Sequence, residues 1–227
     1  MKLIVTNDDG IDAEGLKTLV RLASRWGDVV VAAPAEPQSG VGHRLTTDRP
    51  IRVDRMSQSR YRIWGSPADC TRLALSRLAP DSDWLLSGIN NGSNLGVDVY
   101  DSGTVAAARE AAILGYKAVA LSHYREKDRT IDWRLAEKRL EPLLKRILRE
   151  ALEPGCFLSV NLPHPQHERV RLETRTTHVD TSPNLITFER TGDEFLYTGV
   201  YQDRPRKPRS DIDTCFNGLI SISKIRV

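Results

Sequence analysis

Leu3-Ile4-Val5-Thr6-Asn7-Asp8-Asp9-Gly10 carries four β-favouring residues straight into a polar, acidic turn. A short apolar run bounded by turn residues reads as a buried strand. Downstream, Leu16, Leu19, Val20 and Ala23 recur at helical spacing, and Asp28 to Ala33 reads as a second buried strand. Working outward, the first half keeps this alternation. A β-rich stretch covers His43 to Trp64, and Pro67 opens a helix through about Leu78. Trp84 to Ser87 is a strand that enters a glycine-rich loop, Gly88 to Gly103, followed by a helix from Thr104 to Leu114 and a strand at Ala118 to Ser122. Leu140, Leu143, Leu144, Ile147, Leu148 and Ala151 mark a further amphipathic helix, and Phe157 to Asn161 one more strand. Such βα alternation predicts an α/β fold, a mostly parallel sheet with helices on both faces. Beyond about residue 165 the pattern changes to short strands, Leu185 to Phe188 and Phe195 to Val200, read as a C-terminal β-hairpin extension of the sheet domain.

The bulk properties exclude several classes. The 227 residues, 40% hydrophobic and 28% charged, suit one globular domain, 1–227, with a core of about 1–165 and an extension of about 166–227. A formal net charge of +3 makes no case for a stable nucleic-acid partner. The one basic cluster, Arg204-Pro-Arg-Lys-Pro-Arg209, is proline-broken and reads as a solvated loop, with a phosphorylated ligand as the alternative. Three cysteines, Cys70, Cys156 and Cys215, have no CxxC spacing, so each is expected to be a small buried side chain in a reducing cytoplasm. The N-terminus turns polar at Asn7, too soon for a signal peptide, and no apolar run reaches the length of a membrane span.

Ligands of open parallel sheets sit beyond the carboxyl ends of the strands. Three polar loops leave such ends: Asn7 to Gly10, Pro37-Gln38-Ser39-Gly40, and Ser87-Gly-Ile-Asn90 through Asn94. Adjacent carboxylates repel unless a cation compensates, and Asp8 and Asp9 can reach one ion only if the chain leaves strand geometry, which Gly10 permits. A plain Asp-Asp-Gly turn is the competing reading. With the Ser39 hydroxyl and the Asn90 amide oxygen the donors are all oxygen, which favours Mg²⁺, Mn²⁺ or Ca²⁺ over zinc or copper. Either residue could instead bond its own loop. Gly92 to Gly96 and Ser102-Gly103-Thr104 lead into a helix whose free N–H groups offer a phosphate cradle, although Ser102 or Thr104 could be simple caps. No Walker loop, GxGxxG turn or Gly-x-Ser-x-Gly elbow occurs, against an NTPase, a dinucleotide enzyme or a serine hydrolase. Among the histidines only His43 falls near these loops, as a structural or substrate-positioning residue; His123, His164, His167 and His178 receive no role.

At these loops the chain resembles the SurE family of metal-dependent nucleotidases. The matching stretches are Ile4-Val-Thr-Asn-Asp-Asp-Gly-Ile11, Ala33-Pro34 with Gln38-Ser39-Gly40, Gly42-His43 with Thr46, and Gly65-Ser-Pro-Ala-Asp-Cys70. Ser87-Gly-Ile-Asn90, Gly92-Ser-Asn-Leu-Gly96 and Ser102-Gly-Thr-Val-Ala-Ala-Ala108 follow, with weaker matches at Ser159 to Pro163, Asp211 to Asp213 and Gly218 to Ile222. The resemblance implies a Rossmann-like fold, one divalent cation on Asp8, Asp9, Ser39 and Asn90, and phosphate contacts from Asn94, Ser102, Gly103 and Thr104. It implies hydrolysis of 5′- and 3′-nucleotides, in some members also of polyphosphate, in a homodimer or homotetramer; the expected mechanism is in-line attack of a metal-bound water that Asp8 orients or deprotonates. A polyphosphate or non-nucleotide phosphatase and a catalytically silent nucleotide-binding regulator are the alternatives. Ser66 for the family's threonine, Asp101 where an aromatic or histidine is usual, and an end at Val227 are departures from the family pattern.

Overall fold

Successive strand residues point to opposite faces of a sheet, and in this chain the core divides accordingly. The computed structural model describes residues 1–126, 129–164 and 173–227. Strand β1 (Lys2–Thr6) sends Leu3 and Val5 to one face, against Leu16, Leu19 and Leu22 of helix α1 (Glu14–Ala23). Ile4 faces the other way, into a cluster with Cys70 of α2 (Pro67–Leu73) and Val105, Ala107 and Ala108 of α3 (Gly103–Ile113). Leu140, Leu143, Leu144 and Ile147 of α4 (Trp133–Ile147) complete the first face. Helices therefore cover both faces, as the alternation predicts. All three cysteines are buried and unpaired.

The remaining strands in chain order are β2 (Asp28–Pro34), β3 (Val53–Arg55), β4 (Arg60–Ile63), β5 (Trp84–Asn91), β6 (Lys117–His123), β7 (Cys156–Leu162), β8 (Thr174–Thr177), β9 (Phe188–Thr191), β10 (Glu194–Tyr197) and β11 (Ile220–Arg226), with helix α5 (Asp211–Phe216) before the last. The main sheet runs β3-β4-β2-β1-β5-β6-β7-β11-β8. Strands β4, β2, β1, β5, β6 and β7 are parallel; β3 and β11 join antiparallel to β4 and β7. From β1 the chain builds outward to β2 and β4 on one side, then to β5, β6 and β7 on the other. The switch point thus falls between β1 and β5, where a crevice opens at the strands' carboxyl ends. Asp8 and Asp9 follow one of those strands, and Asn90 is the next-to-last residue of the other.

Several elements differ from their sequence reading. Strand β5 does not stop at Ser87: residues 88–91 stay in the sheet, with a register slip against β6 between Ser87 and Asn90. Helix α2 ends at Leu73 and widens into a π-helical turn over Ala74–Leu78, in which Ala79 N donates to Ala74 O at 2.8 Å. Helix α4 begins about two turns before Leu140, because Asp132 Oδ1 caps it by accepting from Arg134 N and Leu135 N at 2.9 and 3.0 Å. Of the first two turns only Ala136 is buried, so their apolar signal is weak. In the region read as β-rich, only β3 and β4 are strands. The hairpin strands are shifted and pair only with each other, because a Gly192-Asp193 loop between Thr191 and Glu194 sets their register. What joins the main sheet beyond residue 173 is β8 and β11. The boundary placed at about residue 165 and His167 lie outside the described residues.

Candidate active site

Asn7 to Gly10 leaves strand geometry as soon as β1 ends, with Gly10 at φ +97°. Asn7 clamps the turn: its Nδ2 donates to Gly10 O at 2.9 Å. Asp8 is buried and turns toward α3, where Thr104 N donates to its Oδ2 at 3.0 Å and the Thr104 hydroxyl donates to its Oδ1. Burial pushes the Asp8 carboxyl up from its ordinary 3.8 to about 6; the Thr104 hydroxyl opposes this and the neighbouring Asp9 charge adds to it. Burial also raises Asp9, against the pull of the Asn91 amide, which donates to its Oδ2 at 3.0 Å.

The residue beside each remaining metal candidate is tied to this pair. Gln38 N donates to Asp8 O at 2.7 Å, and a Gln38-to-Val41 turn follows with Ser39 at its centre. On the other side, the Asn91 bond to Asp9 brings Asn90 alongside, and Asn90 Nδ2 donates to Gly92 O at 2.9 Å, which orients its amide group. Among the described residues no three His, Cys, Asp or Glu side chains gather to hold a metal. A cation here would have two carboxylates and neutral oxygens as donors. That set fits a hard divalent ion, whose charge would relieve the strain of two buried, adjacent carboxyl groups.

At the start of α3, Ser102 Oγ accepts from Val105 N at 3.0 Å and caps the helix. Thr104 N is taken by Asp8, so of the first three N–H groups only that of Gly103 makes no hydrogen bond among the described residues. The Gly103 amide and the Ser102 hydroxyl proton therefore remain for a ligand phosphate, while Thr104 is committed to Asp8. Gly103 is required by close approach: a Cβ there would lie 2.8 Å from Asp8 Cβ and 3.0 Å from Pro67 Cγ.

Asn94 and His43 are held by partners other than the aspartates. Asn94 belongs to the β6–β7 side: its N accepts no proton but donates to Asn161 Oδ1 (2.8 Å), its Nδ2 donates to Ser122 Oγ (2.8 Å), and Asn161 Nδ2 donates back to Asn94 O (3.0 Å). His43 lies against Glu110, Nε2 to Oε2 at 2.7 Å, six residues and about 9 Å along α3 from Thr104. Arg109 Nη1 faces His43 Nδ1 at 3.5 Å, so the ring proton belongs on Nε2, donating to Glu110. Glu110 is itself buried and accepts from Arg72 Nε at 2.5 Å. The histidine thus braces its loop against α3, and Gly42 N adds a bond to Asp101 O at 3.0 Å. The Asp101 side chain itself is exposed. In the basic cluster Arg204 is not solvated: it is buried and forks onto Asp98 at 2.6 and 3.0 Å. The sequence places Asn7 in a polar loop and Asn161 in a strand but gives neither a role of its own, and it singles out no role for Glu110. Glu110 had a visible signal, as a lone acid in the alanine-rich run Ala106-Ala-Ala-Arg-Glu-Ala-Ala112.

Residues 3–183 match the family described as survival protein SurE. The chain belongs to the SurE family. A protein of Nostoc sp. (strain PCC 7120), whose name gives 5′-nucleotidase as a provisional description, is 48% identical over the whole of both chains. The 5′-nucleotidase SurE of Paramagnetospirillum magneticum is 36% identical over 99% of this chain and 89% of its own. The crystal structure of a SurE protein from Aquifex aeolicus superposes with a TM-score of 0.85 at 27% identity, covering 100% of this chain and 93% of that one. The α/β architecture is therefore that of solved SurE, and no helix among the described residues is long and apolar enough to cross a membrane.

Proposed function

We propose that this SurE chain hydrolyses nucleoside 5′-monophosphates, and 3′-monophosphates, to nucleoside and phosphate with one divalent cation, Mg²⁺ or Mn²⁺, on Asp8, Asp9, Ser39 and Asn90. The observation that carries the reading is the buried Asp8 carboxylate held by the first turn of α3 at the sheet's switch point. The names of the relatives support the substrate class. When bound, the cation supplies a lowered pKa for a water molecule and charge neutralisation on a phosphoryl oxygen. Asp8 would orient an attacking water and take its proton on a carboxylate oxygen. Ser102 Oγ–H and Gly103 N–H donate to the equatorial phosphate oxygens, with Asn94 completing the cradle. Thr104 acts through Asp8, by fixing its carboxylate plane. His43 positions the Ser39 loop.

Phosphate release from 5′- and 3′-nucleotides and from polyphosphate, measured with Mn²⁺, with Mg²⁺ and with EDTA, tests this. Release from a nucleotide that requires metal and stops in EDTA is the expected result. Polyphosphate cleavage without nucleotide cleavage, or no metal-dependent release at all, would overturn the reading.

We also infer that residues 1–227 act as one unit that assembles into a homodimer or homotetramer in a reducing cytoplasm, the setting that three unpaired cysteines suit. The β9–β10 hairpin supports assembly. Phe188, Phe195, Leu196 and Tyr197 are all exposed, Leu196 by 68%, an apolar surface that a solitary chain would leave in water. Sedimentation should give an oligomer for the native protein and a smaller species for Leu196→Glu. A native monomer would refute the assembly.

A further inference from the structure

A cavity of about 460 Å³, within the size range of small-molecule sites, borders Asn91, the residue whose N–H donates to Asp9. One side of it is the segment that follows Asn90, one of the four metal candidates. Asn91 and Gly92 line it, and these are the residues bonded to Asp9 and to the Asn90 amide. Its walls include Tyr124, just beyond β6, and Tyr201, whose rings lie within 23° of parallel with centroids 6.4 Å apart. Both rings are held without a ligand. Phe216 packs 5.1 Å from Tyr124, and Gln202 Nε2 donates to the Tyr124 hydroxyl at 3.0 Å. Tyr201 donates to Asp98 Oδ2 at 2.7 Å, its hydroxyl meets Ser93 Oγ at 2.9 Å, and the Arg204 guanidinium lies 4.7 Å from its ring centre. The buried Arg204–Asp98 fork thus has a purpose in the fold: it fixes one wall of this cavity.

Rigid aromatic faces with amide and hydroxyl groups at their edges suit a flat heteroaromatic ring, which can stack without charge complementarity. The cleft beside Gln38 is smaller, about 240 Å³, and is lined by Arg44, Arg49 and Trp64, whereas the larger cavity offers two tyrosine rings and Arg125. We propose that the Tyr124–Tyr201 cavity is the nucleoside subsite, with the base against Tyr124 and the phosphate at Asp8 and Asp9. This inference rests on the nucleotidase reading above and adds which surface recognises the leaving nucleoside. Pre-ordered walls should favour the base by avoiding the entropy of fixing them on binding.

The test compares kcat/KM for adenosine 5′-monophosphate with that for ribose 5-phosphate, which lacks a base, in the intact protein with Mn²⁺. In Tyr124→Ala the ratio of the two should fall at least about fivefold, the low end of a lost base–aromatic stack. Val200→Trp, which places bulk at an exposed edge of the same cavity without emptying the interior, should lower the ratio in the same direction. A ratio unmoved in both variants, with native cleavage of the nucleotide intact, would overturn the subsite alone. Native release from ribose 5-phosphate but from no nucleotide would overturn the nucleotidase reading and the subsite with it.

Discussion

Asp8→Asn is expected to lose phosphate release by about 10³-fold or more while remaining folded, and to lose a pH dependence of stability that the native protein has. The burial that raises the Asp8 pKa to about 6 favours its protonated form in the folded state. Its stabilising contribution is therefore fully present below the unfolded value of 3.8 and is lost as pH rises through about 6. The full span is worth roughly 3 kcal/mol in the metal-free protein. Asparagine carries no charge, so the variant should lack that slope. Its amide can keep both contacts to Thr104, with Oδ1 accepting from Thr104 N and Nδ2 donating to the Thr104 hydroxyl oxygen. The variant should accordingly match the native protein in stability below pH 4, where Asp8 is protonated, and exceed it at pH 8. Urea unfolding in EDTA across that range reads both effects. Added Mn²⁺ should then stabilise the native protein at pH 8 and leave the variant unmoved, since only a folded site with the carboxylate gains from binding. Parallel pH curves for the two proteins would show that Asp8 is not the strained group.

What could be read from the sequence follows from how local each signal is. The parallel sheet was legible because Leu3 to Val5 and Val29 to Ala33 are continuous apolar runs, Phe157 to Asn161 is a β-favouring stretch, and Leu16, Leu19 and Ala23 recur at helical spacing. The same locality explains the misses. Strand β5 reaches Asn91 because backbone pairing to Ser122 and His123 of β6 holds residues whose composition favours a loop. The hairpin strands moved because Gly192-Asp193, not the apolar residues Leu185 and Ile186, sets the register. At the site, Asp8 and Asp9 stood out because two adjacent acids at a strand end are electrostatically unusual. Thr104 looked like a phosphate ligand because every helix start resembles a cradle in sequence. Its commitment to Asp8 depends on a contact between residues 96 positions apart, which no spacing rule encodes. Asn161, holding Asn94 from 67 positions away, was hidden for the same reason.

Gly103→Ala is expected to cost about 100-fold in kcat for only a small loss of stability. The residue opens α3 with Ser102 as its cap, and alanine is the better helix former by about 1 kcal/mol. Against that gain stands a Cβ placed 2.8 Å from Asp8 Cβ, 3.0 Å from Asp8 Oδ2 and 3.0 Å from Pro67 Cγ. None of these neighbours is the far end of a flexible chain: Asp8 is fixed by Thr104 and Gln38, and Pro67 is the first residue of α2. Overpacking of this kind costs about 1–3 kcal/mol. After the propensity gain the net should be about 2 kcal/mol or less, a fall of a few degrees in Tm for a chain of this size. The functional loss should be larger because the clash is relieved by separating the helix start from Asp8. That displaces the Gly103 amide relative to the carboxylate, and a misplacement near 1 Å is enough for about 10²-fold. Kinetics at 15 °C, well below the shifted Tm, separate the two effects. Near-native kcat there would mean that the helix start need not lie against Asp8, and that the cradle drawn from Ser102 and Gly103 is not the one that holds the phosphate.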